Sequence, residues 1–161
     1  MKILNTLIAV CLFSVSAANA DTIPNVCYEK LGEGQFCTTE NIGKVQVFIF
    51  NAGWCGPCNS EVSQLSRDYT QFAEKPVVFA SLSGEGYSRG TPPDQTFLKS
   101  WQKKHNIPFV VAGKKGDFGT HFGANGYIPF AAIIDKEGNL AESGNLEASA
   151  IVQSVKRLLN E

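Results

Sequence analysis

The chain reads as one α/β domain, a central mixed β-sheet flanked by helices on both faces. Three observations predict it. Val45 to Phe50 (VQVFIF) is an apolar, β-branched and aromatic run that suits a strand buried on both faces. Val62, Leu65, Tyr69, Phe72 and Ala73 then recur at helical spacing, giving a helix from Cys58 to about Glu74 with one apolar stripe. Pro76 stops that helix, and Val77 to Leu82 supplies a second buried strand. Strand, helix and strand in this order imply a parallel pair with a right-handed crossover.

The N-terminus belongs to a different kind of segment. Lys2 is the only charged residue before Asp21, an apolar stretch runs from about Leu7 to Val15, and Ala18-Asn19-Ala20 offers small residues for a signal peptidase. Residues 1–20 are therefore expected to be a cleaved signal peptide, leaving residues 21–161 as the domain. The apolar stretch is too short and too broken for a permanent membrane span. Val10 stands where lipoprotein acylation sites resemble one another in having a small residue, which argues against Cys11 as such a site. The mature chain carries 13 basic against 15 acidic residues, about −2. That argues against a nucleic-acid or membrane-surface partner, which needs a concentrated basic face.

Four cysteines remain: Cys27, Cys37, Cys55 and Cys58. An even number in an exported chain suits an oxidising compartment, periplasmic or otherwise extracytoplasmic, and local spacing favours Cys27 with Cys37 and Cys55 with Cys58. Gly32 and Gly34 suggest a turn between two short strands joined by the first pair. A stabilising staple is the plain reading of that pair; a second dithiol exchanging with Cys55–Cys58 is the alternative.

Beyond the second strand, Ser83 to Pro93 is a loop rich in Gly, Ser and Pro, and Asp94 can cap a helix bearing Phe97, Leu98 and Trp101. Pro108 to Ala112 reads as a short strand, and the Gly-rich passage from Gly113 to Gly126 holds one helical turn around Phe118 to Phe122. Phe130 to Ile134 and Asn139 to Glu142 flank the turn composition DKEG, which predicts a hairpin. Asn145 is expected to cap a last amphipathic helix carrying Leu146, Ile151, Val155, Leu158 and Leu159.

The chemistry concentrates in WCGPCNSE, Trp54 to Glu61. A Cys-x-x-Cys pair between strand and helix places Cys55 where unpaired backbone N–H groups and the positive helix end favour a thiolate. Its pKa should fall below the free value of about 8.5, making it the nucleophile. Cys58, one turn on, is placed to resolve a mixed disulfide formed at Cys55. Pro57 suits the first helical turn and Gly56 lets a substrate backbone approach. Trp54, immediately before Cys55, is expected on the exposed rim in contact with substrate. Glu61 lies on the same helix face as Cys58.

WCGPC is the active-site sequence of thioredoxins, and the chain resembles the exported thioredoxin-like proteins of the TlpA/ResA type from about Ile42 to Leu159. IGKVQVFIFNAGWCGPCNSE is similar to that family's strand and active site, and GYIPFAAIIDKEGNL to its proline loop, hairpin strand and turn. The resemblance implies a thioredoxin fold, here with an N-terminal β-hairpin extension. It implies a cis Pro129 facing the cysteines, with Ile128 and Pro129 as the docking edge for a substrate backbone, and Glu61 assisting proton transfer. The implied activity is that of a thiol-disulfide oxidoreductase without cofactor or metal. Its implied partners are proteins with disulfides or thiols, and a membrane redox partner that recycles the site. Gly56-Pro57 and Ile128 resemble reducing thioredoxins, which favours reduction of other proteins; oxidation and isomerisation use the same parts. Two departures stand out: Ile49 replaces the buried Asp of cytosolic thioredoxins, and Ser63 replaces a proline that commonly kinks the helix.

The competing readings are weaker. A zinc site from all four cysteines has the wrong spacing in Cys27-x9-Cys37. A copper metallochaperone would need His121 beside Cys55 and Cys58, whereas His105 and His121 each read as surface or hydrogen-bonded residues. A peroxidase would need a hydroxyl three residues before its cysteine, where Ala52 stands. A non-catalytic binding module would tolerate loss of either active-site cysteine.

Overall fold

The computed structural model describes residues 22–160; the expected signal peptide and Cys11 lie outside the described residues. The central strand is β3 (Val45–Ala52), with every residue buried. It pairs in parallel with β4 (Val77–Glu85) and antiparallel with β6 (Phe130–Ile134). With β1 (Cys27–Lys30), β2 (Gln35–Cys37), β5 (Val110–Gly113) and β7 (Leu140–Gly144), the sheet order is β2-β1-β5-β4-β3-β6-β7. The N-terminal hairpin extends the sheet because β1 pairs antiparallel with β5.

Alternation along β3 divides the core in two. Val45, Val47 and Ile49 point to one face, Phe48 and Phe50 to the other. On the first face lie the three α-helices of the described residues, α1 (Gly56–Asp68), α2 (Gln95–His105) and α3 (Ala148–Asn160), through Val62 and Leu65, Phe97, Leu98 and Trp101, and Ile151, Val155 and Leu158. Burying each such side chain contributes about 1.5–3 kcal/mol. The opposite face has no α-helix among the described residues: Ile23, Val26, Tyr28 and Phe36 cover it together with a 3-10 turn at Thr120–Phe122. The expectation of helices on both faces is thus corrected. From β3 to β4 to β5 the chain steps twice in the same direction, so two right-handed crossovers deposit α1 and α2 on the same side.

The Gly-rich passage before β6 lies down as that second cover. Phe122 meets Phe48 and Phe50 at 5.5 Å between centroids. Gly119, at φ 86°, sits against the Phe50 ring, which an added Cβ would approach to 2.7 Å. Only glycine accepts both the backbone and the contact.

Local boundaries shift for identifiable reasons. The helix after the cysteines ends at Asp68 and tightens into a 3-10 turn over Tyr69–Phe72 instead of continuing to Glu74. That turn delivers Tyr69 and Phe72 edge-on and stacked to Phe79, at 5.5 and 5.6 Å. Asp94 does cap α2, its Oδ1 accepting the Phe97 N–H at 2.8 Å. Asn145 does not cap α3, which starts at Ala148; its side-chain amide donates instead to the Pro129 carbonyl at 2.8 Å. A buried polar chain crosses the helix face: Ser83 Oγ donates to Asn51 Oδ1, Asn51 Nδ2 to Ser81 Oγ, and the Trp101 indole N–H to Ser81 Oγ, at 2.6, 2.8 and 3.1 Å. It ties α2 to the strand end that leads into the cysteines.

Candidate active site

β3 delivers the chain to Cys55, which is the N-cap residue of α1 with extended backbone, φ −82° and ψ 106°. Its Sγ accepts the Cys58 N–H at 3.2 Å, so one of the helix's unpaired donors is aimed at sulfur. Pro57 occupies the first turn, where no N–H is required. Cys55 and Cys58 are joined by a disulfide. Cys55 keeps 4% of its surface and Cys58 none, so Cys55 is the less buried member of the pair. Negative charge developing there is stabilised by the helix end and by that N–H, the arrangement that lowers a thiol pKa.

Around the pair is an apolar collar of Ala52, Trp54, Phe118 and Ile128. Ile128-Pro129 is a cis peptide, with Pro129 buried at the edge of an open groove of about 910 Å³. Pro57, Glu61, His105, Asn145 and Ser149 also line this groove. Gly56 stands at the rim with open space over its Cα. Cys55, Cys58, Trp54 and Ile128 thus form one cluster, while Pro57, Glu61 and Pro129 share the adjoining groove. Cys27 and Cys37 are bonded to each other elsewhere, directly opposite in the β1–β2 ladder. His121 is exposed, and among the described residues no three of His, Cys, Asp and Glu are grouped to hold a metal ion.

Two residues depart from the sequence reading or were absent from it. Trp54 is not an open rim residue: the Arg89 guanidinium lies 3.8 Å from its ring centroid, and its indole N–H donates to Glu85 at 2.6 Å. Phe118 joins the collar from the Gly-rich passage, because Gly84 leaves room for its ring: a Cβ there would meet it and lie 2.6 Å from the Asp117 carbonyl. No local spacing marks that contact.

Glu61 Oε1 is buried without a hydrogen-bond partner, and burial pushes its pKa up to about 7. A carboxyl titrating near neutrality one helical turn from Cys58 can both hold and release a proton at working pH. Ile49, where a buried acid stands in cytosolic thioredoxins, is fully buried in the apolar core and offers no proton. His105, also on the groove, is 6% exposed, shares a 2.7 Å hydrogen bond with Ser63 Oγ, and is pushed down to about 4 by burial and by Lys104. The stability consequences have opposite signs. Glu61 has its pKa raised from 4.5, so its contribution is lost as pH rises from 4.5 through 7; His105 has its pKa lowered from 6.5, so its contribution is lost as pH falls from 6.5 through 4. Between pH 4.5 and 6.5 the two offset each other. Glu61→Gln is expected to gain stability over the parent as pH rises from 4.5 to 7, by on the order of 2 kcal/mol after allowance for partial exposure. Denaturant titrations of both proteins at several pH values check this; a difference that does not change with pH contradicts the burial argument.

The Redoxin family profile matches residues 18–159. The chain belongs to the Redoxin family. It is 27% identical over 113 residues to the thiol-disulfide oxidoreductase ResA of Bacillus cereus (strain ZK / E33L), a match covering 68% of this chain and 60% of that one. The chain therefore spans about 60% of the length of that curated relative. Among solved structures, a thiol:disulfide interchange protein of the thioredoxin family from Chlorobium tepidum TLS superposes with TM-score 0.71 at 21% identity, over 88% of this chain and 98% of that one. A secreted thiol-disulfide isomerase from Corynebacterium glutamicum gives 0.73 at 15% identity, over 89% and 90%. This Redoxin family member has the thioredoxin-like fold: a mixed sheet with a Cys-x-x-Cys disulfide at the strand-to-helix junction.

Proposed function

We propose that this Redoxin family protein is an extracytoplasmic thiol-disulfide oxidoreductase that reduces disulfides in other proteins. The observation that carries the proposal is the placement of Cys55: N-cap of α1, sulfur facing the Cys58 N–H, and the more exposed member of the pair. In the reduced protein the Cys55 thiolate attacks a substrate disulfide, forming a mixed disulfide and expelling one substrate thiolate. The Cys58 thiolate then attacks Cys55 Sγ, re-forming Cys55–Cys58 and releasing the second substrate thiol. Two electrons pass to the substrate, and a membrane redox partner supplies two more to reset the site. Glu61 takes the Cys58 proton as that thiol becomes a nucleophile and returns one in the reverse step. Ile128 and Pro129 receive the extended substrate backbone, Gly56 and Pro57 leave room for it, and Trp54, covered by Arg89, borders it.

The ResA relative, named a thiol-disulfide oxidoreductase, supports this reading. Cys27–Cys37 serves as a staple of the N-terminal hairpin. Its strand is separated from β3 by β5 and β4, which supports a structural role for this pair. The signal-peptide pattern expected in residues 1–20 supports the extracytoplasmic location, and no helix among the described residues is long and apolar enough to cross a membrane. Equilibration of Cys55–Cys58 against glutathione or dithiothreitol buffers tests the direction. A potential near about −270 mV is expected of a reductant; one near about −120 mV would make the same site an oxidant.

A further inference from the structure

The loop between β4 and α2 is fastened to the residue that precedes the reactive cysteine. Glu85, half-buried at the end of β4, uses both carboxylate oxygens inward: Oε2 accepts the Trp54 indole N–H at 2.6 Å and Oε1 accepts the Gly90 backbone N–H at 2.8 Å. The loop closes on itself through the Gly86 N–H to the Thr91 carbonyl at 3.0 Å, which presents Arg89 at its tip. The Arg89 guanidinium covers the Trp54 ring at 3.8 Å from the centroid. Arg89 is exposed and has no carboxylate within ion-pair distance among the described residues. Trp54 in turn packs against the Cys55–Cys58 cluster.

We propose that Glu85 and Arg89 form a clamp that fixes Trp54 beside the disulfide and makes a cation, not an indole face, the group a docking protein meets on this side. The partner it fits is a polypeptide with a carboxylate next to its reactive cysteine. This rests on the oxidoreductase reading and adds what the substrate presents. A guanidinium held flat on an aromatic ring keeps its outer face and its edge N–H donors for a carboxylate, and the ring limits the freedom lost when the ion pair forms. The other collar residues, Phe118 and Ile128, are apolar, so the charge preference comes from the Trp54 part of the collar. Glu85 is a positioning residue and Arg89 a specificity residue.

The test uses two synthetic peptides, each with one cysteine held as a mixed disulfide with 2-mercaptoethanol and differing only in Asp or Lys beside it. The fully reduced protein should convert each to free peptide thiol and 2-mercaptoethanol while forming Cys55–Cys58. At low salt the Asp peptide is expected to react about three- to fivefold faster in second-order rate constant, the range of an exposed ion pair. The ratio should shrink in high salt and invert in Arg89→Glu. Equal rates for the two peptides, or a ratio that Arg89→Glu leaves untouched, would overturn the proposal. The clamp is read separately by NMR of the indole N–H resonances, assigned with Trp54→Phe. In Glu85→Gln and Glu85→Ala the Trp54 N–H should shift upfield and exchange with water at least about tenfold faster, while that of Trp101 stays in place; an unmoved Trp54 signal refutes the clamp. A protein that reduces neither peptide yet shows the indole shift would remove the oxidoreductase reading and leave the clamp standing.

Discussion

Cys55→Ser is expected to bring insulin reduction down to the rate of dithiothreitol alone. The loss is total because the first covalent step has no substitute nucleophile. Cys58 is fully buried beneath Cys55, and the other cysteines of the domain, Cys27 and Cys37, are bonded to each other across the β1–β2 ladder. A serine hydroxyl at the same helix N-terminus would still accept the residue 58 N–H, so the fold should survive and circular dichroism should match the parent. Retained turnover in a well-folded Cys55→Ser protein would show that the electrons travel by another route.

The largest stability effect is expected at Trp101, not at the active site. Its ring is fully buried, stacks on Phe97 at 5.6 Å, meets His105 edge-on at 4.2 Å, and donates its N–H to Ser81. Trp101→Ala removes that packing and leaves a cavity between α2 and the sheet, a loss of about 3–5 kcal/mol. For a domain of this size the melting temperature should fall by about 10–20 °C. A thermal melt lowered by less than about 3 °C would mean that α2 collapses onto the gap and that Trp101 does not anchor it. Because Ser81 also receives the Asn51 amide under the end of β3, the variant should loosen the strand that positions Cys55.

Much of this was legible in the sequence. The VQVFIF strand, the Cys-x-x-Cys junction and the Phe130–Ile134 strand are local patterns: each element is set by the residues within it. What escaped depends on contacts far apart in the chain. Whether successive helices share a face follows from the order of the strands, which periodicity does not encode, and so all three α-helices lie where two faces were expected to share them. Asn145 has the composition of a helix cap, yet the Pro129 carbonyl, sixteen residues earlier, takes its amide. Trp54 reads as an open substrate contact until Glu85 and Arg89, more than thirty residues on, are seen to hold it. Phe118 reaches the disulfide only because Gly84 gives its ring space.

With Cys55 attacking and Cys58 resolving, removal of the resolving thiol in Cys58→Ser should arrest the reaction at the mixed disulfide. Incubated with an oxidised peptide and analysed by mass spectrometry without reduction, the variant is expected to carry one peptide on Cys55. No adduct on any cysteine, or one on Cys27 or Cys37 with Cys55 free, would show that Cys55 is not the attacking thiol.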